Sequence, residues 1–150
     1  MSREISLING PNLNALGSRP SEHYGRETLE QVVKRVKVAS EKSGYNLRHF
    51  QSNSEGLLVD EIQRAVKDSE AIIINPGAYS HTSIAIRDAL EGSRIPVIEI
   101  HISNIFRREE FRRHSYVSEV ARGVVCGFGT EGYLVALDAA LRMLLPKVST

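Results

Sequence analysis

The feature that most constrains the fold of this chain is a regular alternation of short apolar runs with longer segments of helical periodicity. The apolar runs predict strands over residues 4–8, 45–51, 71–75, 96–102 and 123–128, and the periodic segments predict helices over 28–43, 55–69, 83–91 and 131–145. Strands that alternate with helices form a parallel sheet covered on both faces. We therefore expect an α/β, flavodoxin-like three-layer sandwich, whose five-stranded parallel sheet has the order 2-1-3-4-5.

Two elements carry the clearest local signals. The run AIIIN, 71–75, is apolar at almost every position, which is typical of a strand covered on both sides. The segment 28–43 places apolar residues at helical spacing. Thr28 and Gln31 form a predicted capping box at its start, and Gly44 predicts its end.

Composition limits the classes of protein that this chain can belong to. Its 150 residues are enough to bury one core, so we expect a single domain over 1–150. A net charge of +1 offers no electrostatic basis for binding nucleic acid or a membrane surface. No apolar run has the length of a signal peptide or a bilayer span. The lone Cys126 suits a reducing compartment, so we expect a cytoplasmic enzyme or binding domain.

Polar and glycine-rich residues concentrate where the predicted strands end. Ligands of open parallel sheets bind beyond the carboxyl ends of the strands. Four segments occupy that edge, namely NGPN after strand one, NPGAYSH after strand three, HISN after strand four and GFGTEG after strand five. Core packing alone would not require polar residues there, so this edge is the predicted site.

The segment GFGTEG, 127–132, also matches the pattern G-x-G-x-x-G of dinucleotide-binding loops. That interpretation needs a following strand and an acidic residue about 20 positions later, and the chain has room for neither. The glycines are better explained by a tight turn from strand to helix. No G-x-x-x-x-G-K-[ST] sequence is present, which argues against a P-loop.

Five long motifs occur in order along nearly the whole chain. They are NGPNLNALGSR with YG (9–25), QSNSEGLLVDEIQ (51–63), INPGAYSHTSIAIRDAL (74–90), VIEIHISNI with REEFRRHS (97–115) and GFGTEGYLVAL (127–137). Together they resemble the type II 3-dehydroquinate dehydratases, the type II dehydroquinases. One departure is that Arg19 is followed directly by Pro20 and Ser21, whereas the family often has Arg-Glu-Pro at this place. A following proline pushes the backbone at Arg19 toward extended conformations.

The resemblance implies a cofactor-free, metal-free enzyme of the shikimate pathway, which serves aromatic amino-acid biosynthesis. Quinate breakdown passes through the same step and remains open as an alternative role. Its substrate would be 3-dehydroquinate, converted to 3-dehydroshikimate by anti elimination of water through an enolate. The implied assembly is a homododecamer, a tetramer of trimers. Such a reaction needs a base, an acid, an enolate stabiliser and a clamp for the substrate carboxylate.

The resemblance implies that Tyr24 is the base. A free Tyr has a pKa of about 10, so ionising it at pH 7 costs roughly 4 kcal/mol, and a nearby cation lowers that cost. Arg19, five positions earlier, is a cation that does not deprotonate. Without the resemblance, Tyr24 would be interpreted as a packing residue and Arg19 as a solvated loop charge.

His101 is the predicted general acid, at the end of strand four. Glu99 lies two residues earlier on the same face of the strand, where a carboxylate would fix the tautomer of the imidazole and favour its protonated form. A histidine at a strand end is otherwise more often a structural residue, and Glu99 shifts that balance toward catalysis.

The resemblance implies roles for seven further residues. Asn12 would hold a water near the enolate oxygen. The residues that would bind substrate are Asn75, His81, Ile102, Ser103, Arg112 and, in a neighbouring subunit's site, Asp88. From the sequence alone, the two asparagines are also ordinary turn formers, and the charge run 107–113 is mostly a solvated surface.

Other chemistries lack support. The histidines have no metal-ligand spacing, and Cys126, within an apolar strand, is predicted to be a small core residue. No G-x-S-x-G elbow is present. Two alternatives to the dehydratase remain open, a flavodoxin-like ligand-binding or signalling module without activity and a related α/β enzyme acting on another small polyol acid.

Overall fold

The computed structural model describes residues 3–18 and 26–146. Across these ranges five strands, four α-helices and five short 3₁₀ helices follow one another. The strands and α-helices are β1 (Glu4–Asn9), α1 (Leu29–Lys42), β2 (Asn46–Gln51), α2 (Glu55–Asp68), β3 (Ala71–Asn75), α3 (Ile84–Leu90), β4 (Val97–His101), β5 (Gly123–Cys126) and α4 (Glu131–Leu144). All strand pairs are parallel, in the order β2-β1-β3-β4-β5. The predicted architecture and strand order are confirmed.

The sheet separates two apolar cores. Helices α1 and α4 pack on one face and α2 and α3 on the other. Strand β3 contributes to both cores, because Ile73 points into the first and Ile72 and Ile74 into the second. Every residue of β3 is buried, as its unbroken apolar sequence predicts.

The ends of the elements follow local chemistry. The hydroxyl of Thr28 accepts from the backbone N–H of Gln31, and the Gln31 side chain accepts from the Thr28 N–H, so the predicted capping box is present. Gly44, with φ of 88°, lies just beyond the end of α1. Strand β5 ends at Cys126, two residues earlier than predicted, because Gly127 turns the chain with φ of 93°.

The 3₁₀ helices occupy segments for which the sequence predicts no regular element. They are Leu13–Ala15, Gly77–His81, Ile105–Arg107, Glu110–Arg112 and Val117–Glu119.

Cys126 is half-buried, so its prediction as a core residue is wrong. Its strand, β5, is an edge strand, which has a neighbouring strand on one side only. Within the described ranges, no helix combines the length and apolarity that a membrane crossing requires.

Candidate active site

Two proline-containing loops interlock at the carboxyl end of the sheet. Asn9 and Asn75 end the neighbouring strands β1 and β3 at the same register position, and Gly10 N–H donates to the Asn75 carbonyl at 2.8 Å. A Cβ at Gly10 would lie 2.5 Å from the carbonyl oxygen of Pro76, so only glycine allows this approach. The contact places both loops at the rim of one pocket.

The pocket has a volume of about 220 Å³ and lies where the sheet rule predicts it. Seven predicted site residues line it, Asn12, Asn75, His81, His101, Ile102, Ser103 and Arg112. Further lining residues are Pro11, Leu13, Leu16, Gly77, Ala78, Ile105 and Arg108. The pocket therefore combines apolar walls with amide, imidazole, hydroxyl and guanidinium groups, as small-molecule sites do.

A buried carboxylate–imidazole pair lies beside the pocket. Glu99 is 0% exposed, and one of its carboxylate oxygens, Oε2, bonds Nε2 of His101. The hydroxyl of Ser115 donates to Oε2 at 2.6 Å, and that of Ser118 donates to Oε1 at 2.5 Å. Both oxygens of the carboxylate are thus occupied by donors, which holds the imidazole of His101 in place at the pocket wall.

These donors keep Glu99 ionised. Burial by itself raises the pKa of Glu99, but the hydrogen bond and positive charge of His101, with the hydroxyls of Ser115 and Ser118, outweigh burial and lower it. An ionised Glu99 can only accept, so Nε2 of His101 carries a proton. Proton exchange with a ligand is therefore left to Nδ1.

His81 faces the same pocket in a defined tautomer. Its Nδ1 lies 2.8 Å from the carbonyl oxygen of His114, which can only accept, so Nδ1 carries a proton. Burial lowers the pKa of His81, although the bond to His114 opposes that effect. A neutral His81 can accept a hydrogen bond through Nε2.

The two asparagines at the rim differ in how they are held. Asn75 is 3% exposed, and its side chain bonds the Gly77 N–H and the hydroxyl of Tyr133. Asn12 is exposed, has a left-handed φ of 70°, and donates its backbone N–H to Oδ1 of Asn53 at 2.9 Å. The backbone of Asn12 and the amide of Asn75 are thereby oriented before any ligand arrives.

Two arginines of the charge run 107–113 line the pocket. Arg112 was predicted there, and its Nε donates to Glu109 at 2.9 Å. Arg108 was expected to belong to the solvated surface, but its side chain is only 13% exposed and donates to the hydroxyl of Ser103 at 3.3 Å. Arg108 lies between two 3₁₀ helices with its side chain mostly buried, which charge patterning alone could not show.

The other predicted residues stand apart from this pocket. Asp88 lies on α3 with an exposed side chain and pairs with Arg87 at 3.1 Å, so within its own chain it is a surface residue. Arg19 and Tyr24 lie outside the described residues.

The glycine-rich segment 127–132 forms the predicted tight turn between β5 and α4. Gly127 and Gly129 have φ of 93° and 62°, and their N–H groups donate to the carbonyls of His101 and Ile102. The turn thus supports the end of β4. In the part of the chain that the structure describes, no cluster of three or more His, Cys, Asp or Glu residues could hold a metal ion.

Comparison with known proteins decides the family. The sequence model of the family described as dehydroquinase class II matches residues 3–141. The chain belongs to the class II dehydroquinase family.

Relatives within this family are similar over almost their whole length. The 3-dehydroquinate dehydratase of Buchnera aphidicola is 54% identical over 95% of this chain and 95% of its own, and that of Vibrio cholerae is 51% identical with the same coverage of each chain. The crystal structure of type II dehydroquinase from Propionibacterium acnes superposes with a TM-score of 0.89 at 41% identity, covering 95% of this chain and 98% of that one. The predicted family, fold and enzyme class are confirmed.

Sequence reasoning missed three polar residues of the site. Ser115 and Ser118 hold Glu99, and Arg108 lines the pocket. The three-residue spacing of the two serines was a visible signal, because it places two hydroxyls on one side of a single turn. Nothing in the sequence pairs that turn with strand β4.

Proposed function

We propose that this chain converts 3-dehydroquinate to 3-dehydroshikimate by anti elimination of water through an enolate. It would do so without a cofactor, as a step of the shikimate pathway in the cytoplasm. The observation that carries the proposal is the buried Glu99–His101 pair beside a pocket lined by polar groups at the carboxyl end of the sheet. The family and the names of its close relatives supply the substrate.

His101 is the proposed general acid. Its Nε2 proton is engaged by Glu99, so Nδ1 of the protonated ring would give its proton to the departing hydroxyl, which leaves as water. Glu99 compensates the charge of the ring before the transfer and fixes the direction of Nδ1 throughout. Ser115 and Ser118 keep Glu99 from rotating.

Tyr24 is the proposed base, with Arg19 as the cation that makes its ionised form accessible near neutral pH. The phenolate would take a proton from the carbon next to the ketone, and the electron pair of that C–H bond would move into the enolate. Collapse of the enolate then forms the new C=C bond and expels the hydroxyl. The support for these two roles is the motif over residues 9–25.

Substrate binding is assigned to the groups around the pocket. Backbone N–H groups of Ile102 and Ser103, with the Ser103 hydroxyl, would take the carboxylate. Asn75, His81 and Arg112 would bind the ring oxygens, and all three line the pocket. Asn12 would hold a water beside the enolate oxygen.

Assembly into a dodecamer of four trimers is part of the proposal. Asp88 is exposed on α3 and stands apart from the pocket of its own chain, which suits a role in a neighbouring subunit's site. Large apolar side chains also remain exposed on the described surface of the single chain, Phe106, Phe111 and Phe128 among them. Mass measurement in solution at several concentrations tests this, and a monomer with full activity would contradict it.

The function is tested by the absorbance of the conjugated enone product. Purified wild-type protein given 3-dehydroquinate is expected to produce that signal, before and after dialysis against EDTA. His101→Ala is expected to lower kcat by roughly 10²-fold or more, the usual scale for a general acid. His114→Ala is the matched control, because its ring packs edge-on against Tyr116 and does not line the pocket. No product from the wild-type protein would favour the ligand-binding module instead.

A further inference from the structure

A chain of hydrogen bonds, buried except at His49, crosses the core behind the pocket. Nδ2 of Asn75 donates to the hydroxyl of Tyr133 at 2.8 Å, and that hydroxyl donates to Oδ1 of Asn9 at 2.6 Å. Nδ2 of Asn9 lies 3.0 Å from Nε2 of His49. The residues come from β3, α4, β1 and β2, so only the packed core brings them together. Tyr133 and Asn9 are 0% exposed.

One backbone N–H sets the direction of every bond in this chain. The N–H of Gly77 can only donate, and it lies 3.1 Å from Oδ1 of Asn75. The amide nitrogen of Asn75 must then face Tyr133, which accepts from it and gives its own proton to Asn9. Asn9 in turn presents its Nδ2 to His49, whose Nε2 has to be an unprotonated acceptor.

Burial favours the protonation states that Tyr133 and His49 need in this chain of hydrogen bonds. Burial raises the pKa of Tyr133, so the hydroxyl keeps the proton that Asn9 accepts. Burial lowers the pKa of His49, which favours the neutral ring, and the bond from Asn9 to Nε2 then leaves the ring proton on Nδ1. Asn9, Asn75 and Tyr133 are buried, so any of them that lost its partner would stay unsatisfied, and the network therefore resists a change of direction.

We propose that Tyr133 and Asn9 are positioning residues, which hold the amide of Asn75 in one orientation at the pocket wall. The inference rests on the proposed function, in which Asn75 binds substrate. Tyr133 is fully buried and does not line the pocket, so it reaches the pocket through its bond to Asn75. Its hydroxyl gives its proton to Asn9 and therefore accepts from Nδ2 of Asn75, while the Gly77 N–H donates to Oδ1, so a flipped amide would lose both bonds. Loss of the hydroxyl would remove one of these two constraints and leave the ring volume unchanged.

A double-mutant cycle tests this in the assembled enzyme. Tyr133→Phe is expected to lower kcat/KM for 3-dehydroquinate by roughly 10-fold, mainly through KM, the scale of one misplaced hydrogen bond. In an Asn75→Ala background the same change is expected to alter kcat/KM by less than about twofold, because Tyr133 acts through Asn75. Equal losses in both backgrounds, or wild-type kinetics in Tyr133→Phe, would overturn the proposal.

Ser40→Ala is the matched control, because it also removes a buried hydroxyl and its hydrogen bond. Ser40 is buried in α1 on the same side of the sheet, and its hydroxyl donates to the carbonyl of Tyr45 at 2.9 Å. The control is expected to lower the melting temperature and leave KM unchanged. A rise in KM for Ser40→Ala equal to that of Tyr133→Phe would show a general effect of stability and overturn the proposal.

Nitrogen NMR of the wild-type protein reports which ring nitrogen of each histidine is protonated. The measurement uses no substrate and does not depend on whether a variant folds. At neutral pH, Nε2 of His49 is expected to be unprotonated and Nδ1 protonated, and a proton on Nε2 would overturn the inferred direction. The two proposals fail in different ways. A wild-type protein with the expected His49 tautomer and no turnover contradicts the proposed function, whereas an active enzyme with the proton on Nε2 contradicts the positioning role alone.

Discussion

Glu99 bonds Nε2 of His101 from two residues earlier on the same strand, with no exposure to solvent of its own. The pair shares one face of β4 because side chains two apart on a strand point the same way. His101 alone reaches the pocket, and Glu99 lies behind it with both carboxylate oxygens bonded. The arrangement presents one ring nitrogen to a ligand and reserves the other for the protein.

Replacing Glu99 by Gln should lower kcat by roughly 10²-fold, because the amide cannot compensate the charge of a protonated His101 or fix its tautomer. Steady-state kinetics on folded protein checks this. Glu119→Gln is the control, since Glu119 is an exposed carboxylate paired with Arg87. An unchanged kcat in Glu99→Gln would contradict the proposal that His101 acts as a protonated acid with the support of Glu99.

The lowered pKa of Glu99 makes stability depend on pH. A carboxyl group whose pKa is lower in the folded state stabilises the fold above its unfolded pKa of about 4.3, and that contribution is lost as pH falls through the folded value. The free energy of unfolding of the wild-type protein should therefore exceed that of Glu99→Gln most at neutral pH. The gap should shrink below about pH 4. Urea unfolding of both proteins across this pH range measures the difference in free energy of unfolding. A difference that does not change with pH would contradict the lowered pKa of Glu99.

Gly10→Ala should destabilise the protein by about 1–3 kcal/mol, the usual cost of forcing an extra methyl into packed structure. The new Cβ would lie 2.5 Å from the Pro76 carbonyl, and a backbone atom cannot move aside as a side chain can. Activity should fall as well, because the loops that carry Asn12 and Asn75 would separate. Gly56→Ala in α2, where the nearest atom is 4.0 Å away, should instead stabilise the helix by up to about 1 kcal/mol. Equal stabilities of the two variants in urea would contradict the close contact.

Arg108→Ala should raise KM by roughly 10-fold or more, because the change removes a charge from the pocket wall and a bond to the Ser103 hydroxyl. Arg107→Ala, an exposed neighbour that does not line this pocket, should leave KM unchanged. Kinetics with 3-dehydroquinate at constant ionic strength separates a local effect from loss of net charge. A similar rise in KM for both variants would point to general electrostatic attraction instead.

Tyr24→Phe and Arg19→Ala should each lower kcat by roughly 10²-fold or more, the usual scale for a general base and its activating group. Tyr116→Phe serves as the control for a lost phenol, since Tyr116 packs against His114 rather than lining the pocket. Near-normal turnover in Tyr24→Phe would require a different base.

The order of elements was determined by local sequence. Residue periodicity set the strands and helices, and the rule that parallel strands need crossover helices then set the layers. The capping box of Thr28 and Gln31 is equally local, because its two partners are three residues apart. The family, too, followed from motifs of contiguous residues.

Only the tertiary structure decided how the site is supported. Tyr133 bonds Asn9 across 124 positions of the chain, and Ser118 bonds Glu99 across 19. Periodicity shows which face of an element is apolar, but not which distant hydroxyl meets which carboxylate. Such contacts form when whole elements dock, and no short stretch of sequence contains both partners.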